Sequence, residues 1–313
     1  NFAHLNDDGY KIIADIDFDN TYGTTIYKKG ADVVQALRNY VGDSTFFSTT
    51  KDYLKTFAFK NASIADFEQF WILKSKDKKL QFFFDYWLHS AGYPFYELQK
   101  YSVVKLNEVY EINLNIKTSA VDKNIKPKMN KLEIAVIDSN LNIKQIPIVI
   151  WDSICEYTIK TTSQPVLVCL DLEEKMPDAT LDRYYITKDT GLYIFDESFC
   201  DVYVTQITDN SLIRIICNFT KPTDSNLDNF LFQSSYYWTV EGIWNNEFQA
   251  FGRFYLTKLM DNYFVKKVKP HQIVLMYRPT LQDKWQEVDY SYKYEYLETK
   301  LKQGQYALAI KKL

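Results

Sequence analysis

Apolar positions change their period along this chain, and the change divides it. From about Tyr27, apolar residues recur at Ala31, Val34, Leu37 and Val41, a spacing that predicts an amphipathic helix ending at Gly42. Asp43 or Ser44 can cap a second helix that carries Phe46, Phe47, Tyr53, Leu54 and Phe57. Ser63-Ile-Ala-Asp66 has the form of a capping box, with Asp in place of the usual Glu or Gln, ahead of Phe67, Phe70, Trp71 and Leu73. A fourth helix holds Leu80, Phe83, Phe84, Trp87 and Leu88, and Gly92-Tyr93-Pro94 breaks it, because proline disfavours a helical residue before it.

After Glu97 the period falls to two. Ile112, Leu114 and Ile116 alternate with polar residues, as do Leu132, Ile134 and Val136. Ile146–Trp151 and Val166–Leu170 are short apolar runs with β-branched residues, also strand-like. Turn residues separate these strands at intervals of roughly 15–20 residues, which suits an antiparallel sandwich. Lys175-Met-Pro-Asp-Ala-Thr180 reads as a boundary. Beyond it, strands are expected at Leu192–Phe195, Val202–Val204, Leu212–Cys217, Tyr237–Gly242, Gln249–Leu256, Ile273–Tyr277 and Tyr306–Ile310, with a polar loop at Lys221–Asn226 and a turn at Gly304. The expected fold class is α+β and multidomain: a helical segment over residues 1–97, then antiparallel, sandwich-like modules over 98–177 and 178–313.

Composition narrows the function classes. With 46% hydrophobic and 17% aromatic residues, the chain is too apolar for disorder. A net charge of −3 gives no reason to expect nucleic acid or an anionic membrane surface as a partner. No apolar run approaches the roughly 20 residues of a membrane span. Lys74-Ser-Lys-Asp-Lys-Lys79 reads as a solvated loop. Cys155, Cys169, Cys200 and Cys217 sit in strand-like apolar surroundings without a Cys-x-x-Cys pair, so they read as small buried hydrophobes and not as zinc ligands. The chain begins at Asn1 without methionine or a signal-peptide pattern, so a processed or truncated product is expected.

Three elements carry a family likeness. The first is Tyr27-Lys-Lys-Gly30-Ala31, with Tyr22 five residues upstream. The second is Phe57-Ala-Phe59-Lys-Asn61-Ala62-Ser63-Ile-Ala-Asp66-Phe67. The third is Phe83-Phe84-Asp-Tyr-Trp87-Leu88-His-Ser-Ala-Gly92-Tyr-Pro94. In this order and spacing they resemble the C-terminal part of the catalytic domain of the zinc-dependent M1 aminopeptidases, over about Asp19 to Glu97. That likeness implies a helical segment ending a thermolysin-like (gluzincin) domain. It places Tyr27 at the family's catalytic tyrosine, where a phenol donates a hydrogen bond to the carbonyl oxygen as negative charge builds on it. It places Tyr22 at a tyrosine lining the pocket and sets Asp19 loosely near the same cleft. For the complete enzyme it implies zinc and a peptide substrate; the oligomeric state is not implied.

The departures matter as much. The family's zinc site needs His-Glu-x-x-His on one helix and Glu on the next. The three histidines here, His4, His89 and His271, include no pair four residues apart. His4 with Asp7 and Asp8 reads as a polar terminus, His89 as packed at a helix end and His271 as surface. The Gly-x-Met-Glu-Asn segment that grips a substrate's amino terminus is also absent, as are Gly-x-Ser-x-Gly, phosphate-loop and dinucleotide motifs. No metal or cofactor site is expected in these residues, and the chain alone is expected to be inactive. Two other readings stay open: a non-catalytic binding or scaffold protein whose aromatic-rich β modules hold glycans or a protein partner, and a family member that has lost its metal site. The β extensions favour a periplasmic or extracellular bacterial protein, whereas the free-looking cysteines favour a reducing compartment.

Overall fold

The computed structural model describes residues 11–23, 25–120, 129–256, 268–269, 272–293 and 295–312. The chain divides into two compact units, residues 1–136, 144–163 and 168–179 and residues 137–143, 164–167 and 180–313.

The first unit opens with four α-helices: Gly30–Val41 (α1), Asp43–Thr56 (α2), Ile64–Ser75 (α3) and Leu80–Trp87 (α4). Gly42 ends α1 at φ 81°, a conformation that favours glycine, and its N–H bonds back to the Arg38 carbonyl at 2.9 Å. The expected capping box opens α3: Ser63 Oγ accepts from the Asp66 N–H at 3.1 Å, and the Asp66 carboxylate accepts from the Ser63 N–H at 2.8 Å. The buried stripe of α1 is Val33, Ala36, Leu37 and Tyr40, while Val34 is 46% exposed. The expected stripe of Ala31, Val34 and Val41 is off the buried face: α1 carries apolar residues on two sides, and the side bearing Val33, Ala36 and Tyr40 packs inward. Ahead of α1, Thr25–Lys29 forms a π-helical turn.

Aromatic rings tie the helices together. Phe46 of α2 stacks on Trp71 of α3 at 5.6 Å, and Phe67 of α3 meets Phe84 of α4 at 5.9 Å. Phe83 of α4 meets Tyr40 of α1 at 5.5 Å. Pairs at these distances add about 0.5–1.5 kcal/mol each beyond area burial.

Two three-stranded sheets complete the unit. One contains Pro94–Leu106 (β1), Val109–Ala120 (β2) and Ile154–Thr161 (β5), antiparallel in the order β1-β2-β5. The other contains Asn130–Asp138 (β3), Ile143–Ile150 (β4) and Pro165–Leu170 (β6), in the order β4-β3-β6. Helices and sheets share one hydrophobic cluster, from Val33, Leu37 and Trp87 to Ile112, Ile116, Ile134 and Ile150. A polar node lies within it. Asn130 Oδ1 accepts from Trp87 Nε1 at 3.1 Å, and Asn130 Nδ2 donates to the Tyr96 hydroxyl at 2.6 Å. Burial pushes the Tyr96 phenol well above its ordinary range.

The second unit is built of strands: Thr180–Thr187 (β7), Gly191–Phe195 (β8), Cys200–Gln206 (β9), Ser211–Asn218 (β10), Phe230–Phe232 (β11), Tyr237–Ile243 (β12), Gln249–Tyr255 (β13), Ile273–Arg278 (β14), Gln286–Glu287 (β15), Ser291–Lys293 (β16), Tyr296–Lys300 (β17) and Gly304–Lys311 (β18). One sheet runs β15-β14-β18-β12-β10-β7 with β11 paired to β18, and the other runs β16-β17-β13-β9-β8. Their buried faces meet where Phe254 contacts Trp238 at 5.1 Å and stacks on Tyr306 at 4.5 Å. Gly304, the expected turn, has φ 136°, and a Cβ there would stand 2.4 Å from the Arg278 carbonyl oxygen. Arg214 is buried between the Asp182 and Glu241 carboxylates. All four cysteines are buried, as small hydrophobes should be, and burial pushes the Cys200 and Cys217 thiols up, away from reactivity.

Two substitutions test these cores. Asn130→Ala strips partners from Trp87 and Tyr96 and should cost about 2–4 kcal/mol in urea unfolding followed by tryptophan fluorescence. A loss under about 0.5 kcal/mol would show that the node carries no weight. Arg214→Met leaves Asp182 buried without its cation and should cost about 3–5 kcal/mol, with most of the loss recovered in the Arg214→Met/Asp182→Leu double variant. A double variant no more stable than the single would contradict the pairing.

Candidate active site

The residues singled out by the family likeness stand on a short irregular stretch leading into α1. Ile13–Asp15 and Phe18–Asn20 are 3-10 turns. Asp17 fixes the second: its carboxylate accepts from the Asn20 N–H at 3.0 Å and from the Asn20 side chain at 2.7 Å, which holds the Asp17 carboxyl below its ordinary value. Asp19 lies exposed on this turn. Tyr22 follows, 83% exposed, and Tyr27 lies on the π-helical turn, 61% exposed. Both tyrosines are thus solvent-facing side chains on one segment. A single π turn inside a helix occurs often at functional sites.

The inner side of that turn is built differently. Thr25 is fully buried and Ile26 packs on the core. Lys29 is only 1% exposed, and its Nζ donates to the Lys11 carbonyl at 3.1 Å and the Ser90 carbonyl at 2.9 Å. The ammonium also lies 5.9 Å from the centre of the Tyr93 ring. Sequence reasoning passed over this lysine. The available signal was its position four residues before Val33, which puts it on the face of the buried stripe.

Ser90 belongs to the chain just beyond α4. Its hydroxyl donates to the Asp85 carbonyl at 2.8 Å, and the Leu88 carbonyl accepts from the Ala14 N–H at 2.9 Å. The end of α4 therefore holds both the approach to the tyrosines and the lysine behind them. His89, next to Ser90 and expected to pack at the helix end, is instead exposed, and its ring meets Glu68 of α3 at 2.6 Å.

Asp32, in the first turn of α1, accepts from the Tyr93 hydroxyl at 2.8 Å. Burial raises its carboxyl above the ordinary 3.8, and the Tyr93 hydrogen bond pulls it part of the way back.

Among the described residues, no group of three or more His, Cys, Asp or Glu is arranged to hold a metal ion. The zinc of the M1 likeness therefore finds no ligand set in them. His4, Asp7, Asp8 and His271 lie outside the described residues. No described helix is long and apolar enough to cross a membrane.

Residues 6–87 match the family model described as the peptidase family M1 domain. Over this segment the chain is similar to the M1 peptidase family. Aminopeptidase B of Mus musculus and aminopeptidase B of Homo sapiens are each 37% identical to this chain over 100 residues, which cover 29% of it. The chain spans 15% of the length of each of these relatives. Among solved structures, the crystal structure of Legionella pneumophila aminopeptidase A in complex with aspartic acid aligns with a TM-score of 0.36 at 19% identity, over 48% of this chain and 17% of that one. The M1 segment thus contains Tyr22, Tyr27, Lys29 and α1 to α4.

The Asp32–Tyr93 contact gives a pH prediction. The folded chain holds the Asp32 proton more tightly than the unfolded chain does. Its contribution to stability is therefore fully present below 3.8 and is lost as pH rises through the folded value. Tyr93→Phe should lift the Asp32 carboxyl further and move that loss to higher pH, read from the carboxyl carbon in an NMR titration. A midpoint that stays put or falls would show that Tyr93 is not the donor.

Proposed function

We propose that this chain contributes the tyrosine-bearing edge of an M1-type zinc aminopeptidase active site, with the zinc ligands supplied by residues outside these 313. The observation that carries the reading is Tyr27: within the matched segment, it stands exposed on the π-helical turn at the head of α1. In this reading the substrate is the amino-terminal end of a peptide. The Tyr27 phenol donates a hydrogen bond to the scissile carbonyl oxygen, and that bond strengthens as negative charge builds on the oxygen. Tyr22 lines the same pocket. Among the described residues there is no fitting metal ligand set, and in this reading the isolated chain binds no catalytic zinc and turns over nothing.

A second reading, a binding module, has one observation behind it. Leu192, Tyr203 and Phe251 pair across β8, β9 and β13 and are all exposed, a row on one sheet face of the kind that marks interaction sites. It concerns the second unit and is compatible with the first reading.

The test is metal analysis together with an aminoacyl-anilide assay on the purified chain. Neither stoichiometric zinc nor turnover above buffer is expected. In a longer chain carrying His-Glu-x-x-His, Tyr27→Phe should lower turnover by ~10²–10³-fold. Stoichiometric zinc in the isolated chain, with turnover abolished by Tyr27→Phe, would overturn the reading.

A further inference from the structure

Lysine is almost never fully buried unless its charge is compensated, because desolvating an ammonium costs far more than packing its stem returns. Lys29 is 1% exposed, so its surroundings must supply that compensation. Two backbone carbonyls do so directly, those of Lys11 at 3.1 Å and Ser90 at 2.9 Å. The Ser90 carbonyl lies three residues beyond the last residue of α4. The face of Tyr93 adds a third, weaker attraction.

The position of this cation relative to Tyr27 gives it a task. Residues two apart in a helical turn do not share a face. With Lys29 drawn inward to the two carbonyls, Tyr27 is turned outward, and their exposures, 1% and 61%, show this division. The turn between them is π-helical, a geometry that is rare and seldom extends beyond a single turn. Relaxation to an α turn would rotate the side chains by about one residue, roughly 100° around the axis. A phenol displaced on that scale no longer reaches a carbonyl oxygen, since even ~1 Å of misplacement can cost on the order of a hundredfold in rate.

We infer that Lys29 is a positioning residue: its ammonium, held between the Lys11 and Ser90 carbonyls, locks the π-helical turn and sets the direction of the Tyr27 phenol. The inference rests on the reading of Tyr27 as the reactive phenol, but the clamp itself is testable in the 313-residue chain without any activity. It also separates the two lysines of Tyr27-Lys28-Lys29-Gly30: Lys29 is buried and acts, whereas Lys28 is half-exposed and does not.

The experiment combines hydrogen–deuterium exchange across residues 23–31 with ¹⁹F NMR of 3-fluorotyrosine placed at position 27. Lys29→Met keeps the stem and removes the charge. It should speed exchange of amides 25–29 by about tenfold and shift or broaden the fluorine signal, leaving α2 and α3 protected. Lys28→Met should match the unsubstituted chain in both readouts. Lys29→Arg, which keeps charge and donors, should fall closer to the unsubstituted chain than Lys29→Met does. If Lys29→Met folds with exchange and fluorine signal unchanged, the clamp is wrong. If Arg and Met are equally disruptive, the lysine serves packing alone and the inference also fails. Should Lys29→Met not fold, Ser90→Ala decides, because it loosens the chain segment that presents the carbonyl. A local rise of about threefold in exchange at 25–29 supports the clamp, and no rise overturns it. Failure here would leave the aminopeptidase reading standing. Zinc-dependent turnover by the isolated chain would overturn that reading and leave the clamp in place.

Discussion

The end of α4 is the constraint on which the functional half of the first unit depends. A helix leaves its last four carbonyls without helical partners, and a buried helix end must find donors for them. Here the Ser90 hydroxyl, five residues on, donates to Asp85, and donors from a distant part of the chain supply the rest: the Ala14 amide to Leu88 and, just past the helix, the Lys29 ammonium to Ser90. One set of acceptors therefore fixes the approach segment around Ala14 and the π-helical turn at Lys29. The aromatic packing of α4 against α1 and α3 makes that acceptor set rigid, since Phe83 and Phe84 are fully buried and bridge to Tyr40 and Phe67. The order of dependence runs from apolar burial to a fixed helix end, from the helix end to a clamped turn, and from the turn to an exposed phenol.

Much of the scaffold was legible because it follows local rules. The capping box at Ser63 and the stop at Gly42 each rest on backbone chemistry within a few residues, and each stands where the sequence put it, whereas Gly304, expected at a turn, is the first residue of β18 and has a positive φ. The period-two runs at Ile112–Ile116 and Leu132–Val136 fall within β2 and β3 for the same reason. The α1 stripe was misplaced because Ala31, Val34 and Val41 recur at helical spacing as Val33, Ala36 and Tyr40 do, and spacing alone does not say which face packs inward. Strand β1 was missed because residues 100–106 are all exposed and offer no alternation, while its pairing with β2 along nearly its whole length defines it. Strand β5 was missed for a similar reason, since Ile154 is exposed and its buried face mixes Cys155 and Ile159 with the polar Thr161.

At the site itself, the sequence named the tyrosines through family likeness and left the lysine unread. The asymmetry has a physical origin. Tyr22 and Tyr27 are reactive-type side chains on a motif, whereas Lys29 matters through two backbone carbonyls that no side-chain pattern records. A lysine at the start of an amphipathic helix looks like a solvated charge until the structure shows which way the helix is turned. Its register with Val33, Leu37 and Tyr40 decides that.

The same arrangement separates scaffold from chemistry. The clamp draws on Lys11, Lys29, Ser90 and Tyr93 of the first unit. Its cation is answered by carbonyls and an aromatic face. The phenol above it is the opposite case, an exposed donor whose value lies in an acceptor brought from elsewhere. Preorganised donors contribute to catalysis because the cost of orienting them is met on folding and not during the reaction. A chain that folds the clamp can therefore hold Tyr27 in a productive direction before any metal or peptide is present, and the orientation of the phenol is a property of folding stability in this unit, separable from the chemistry it would serve.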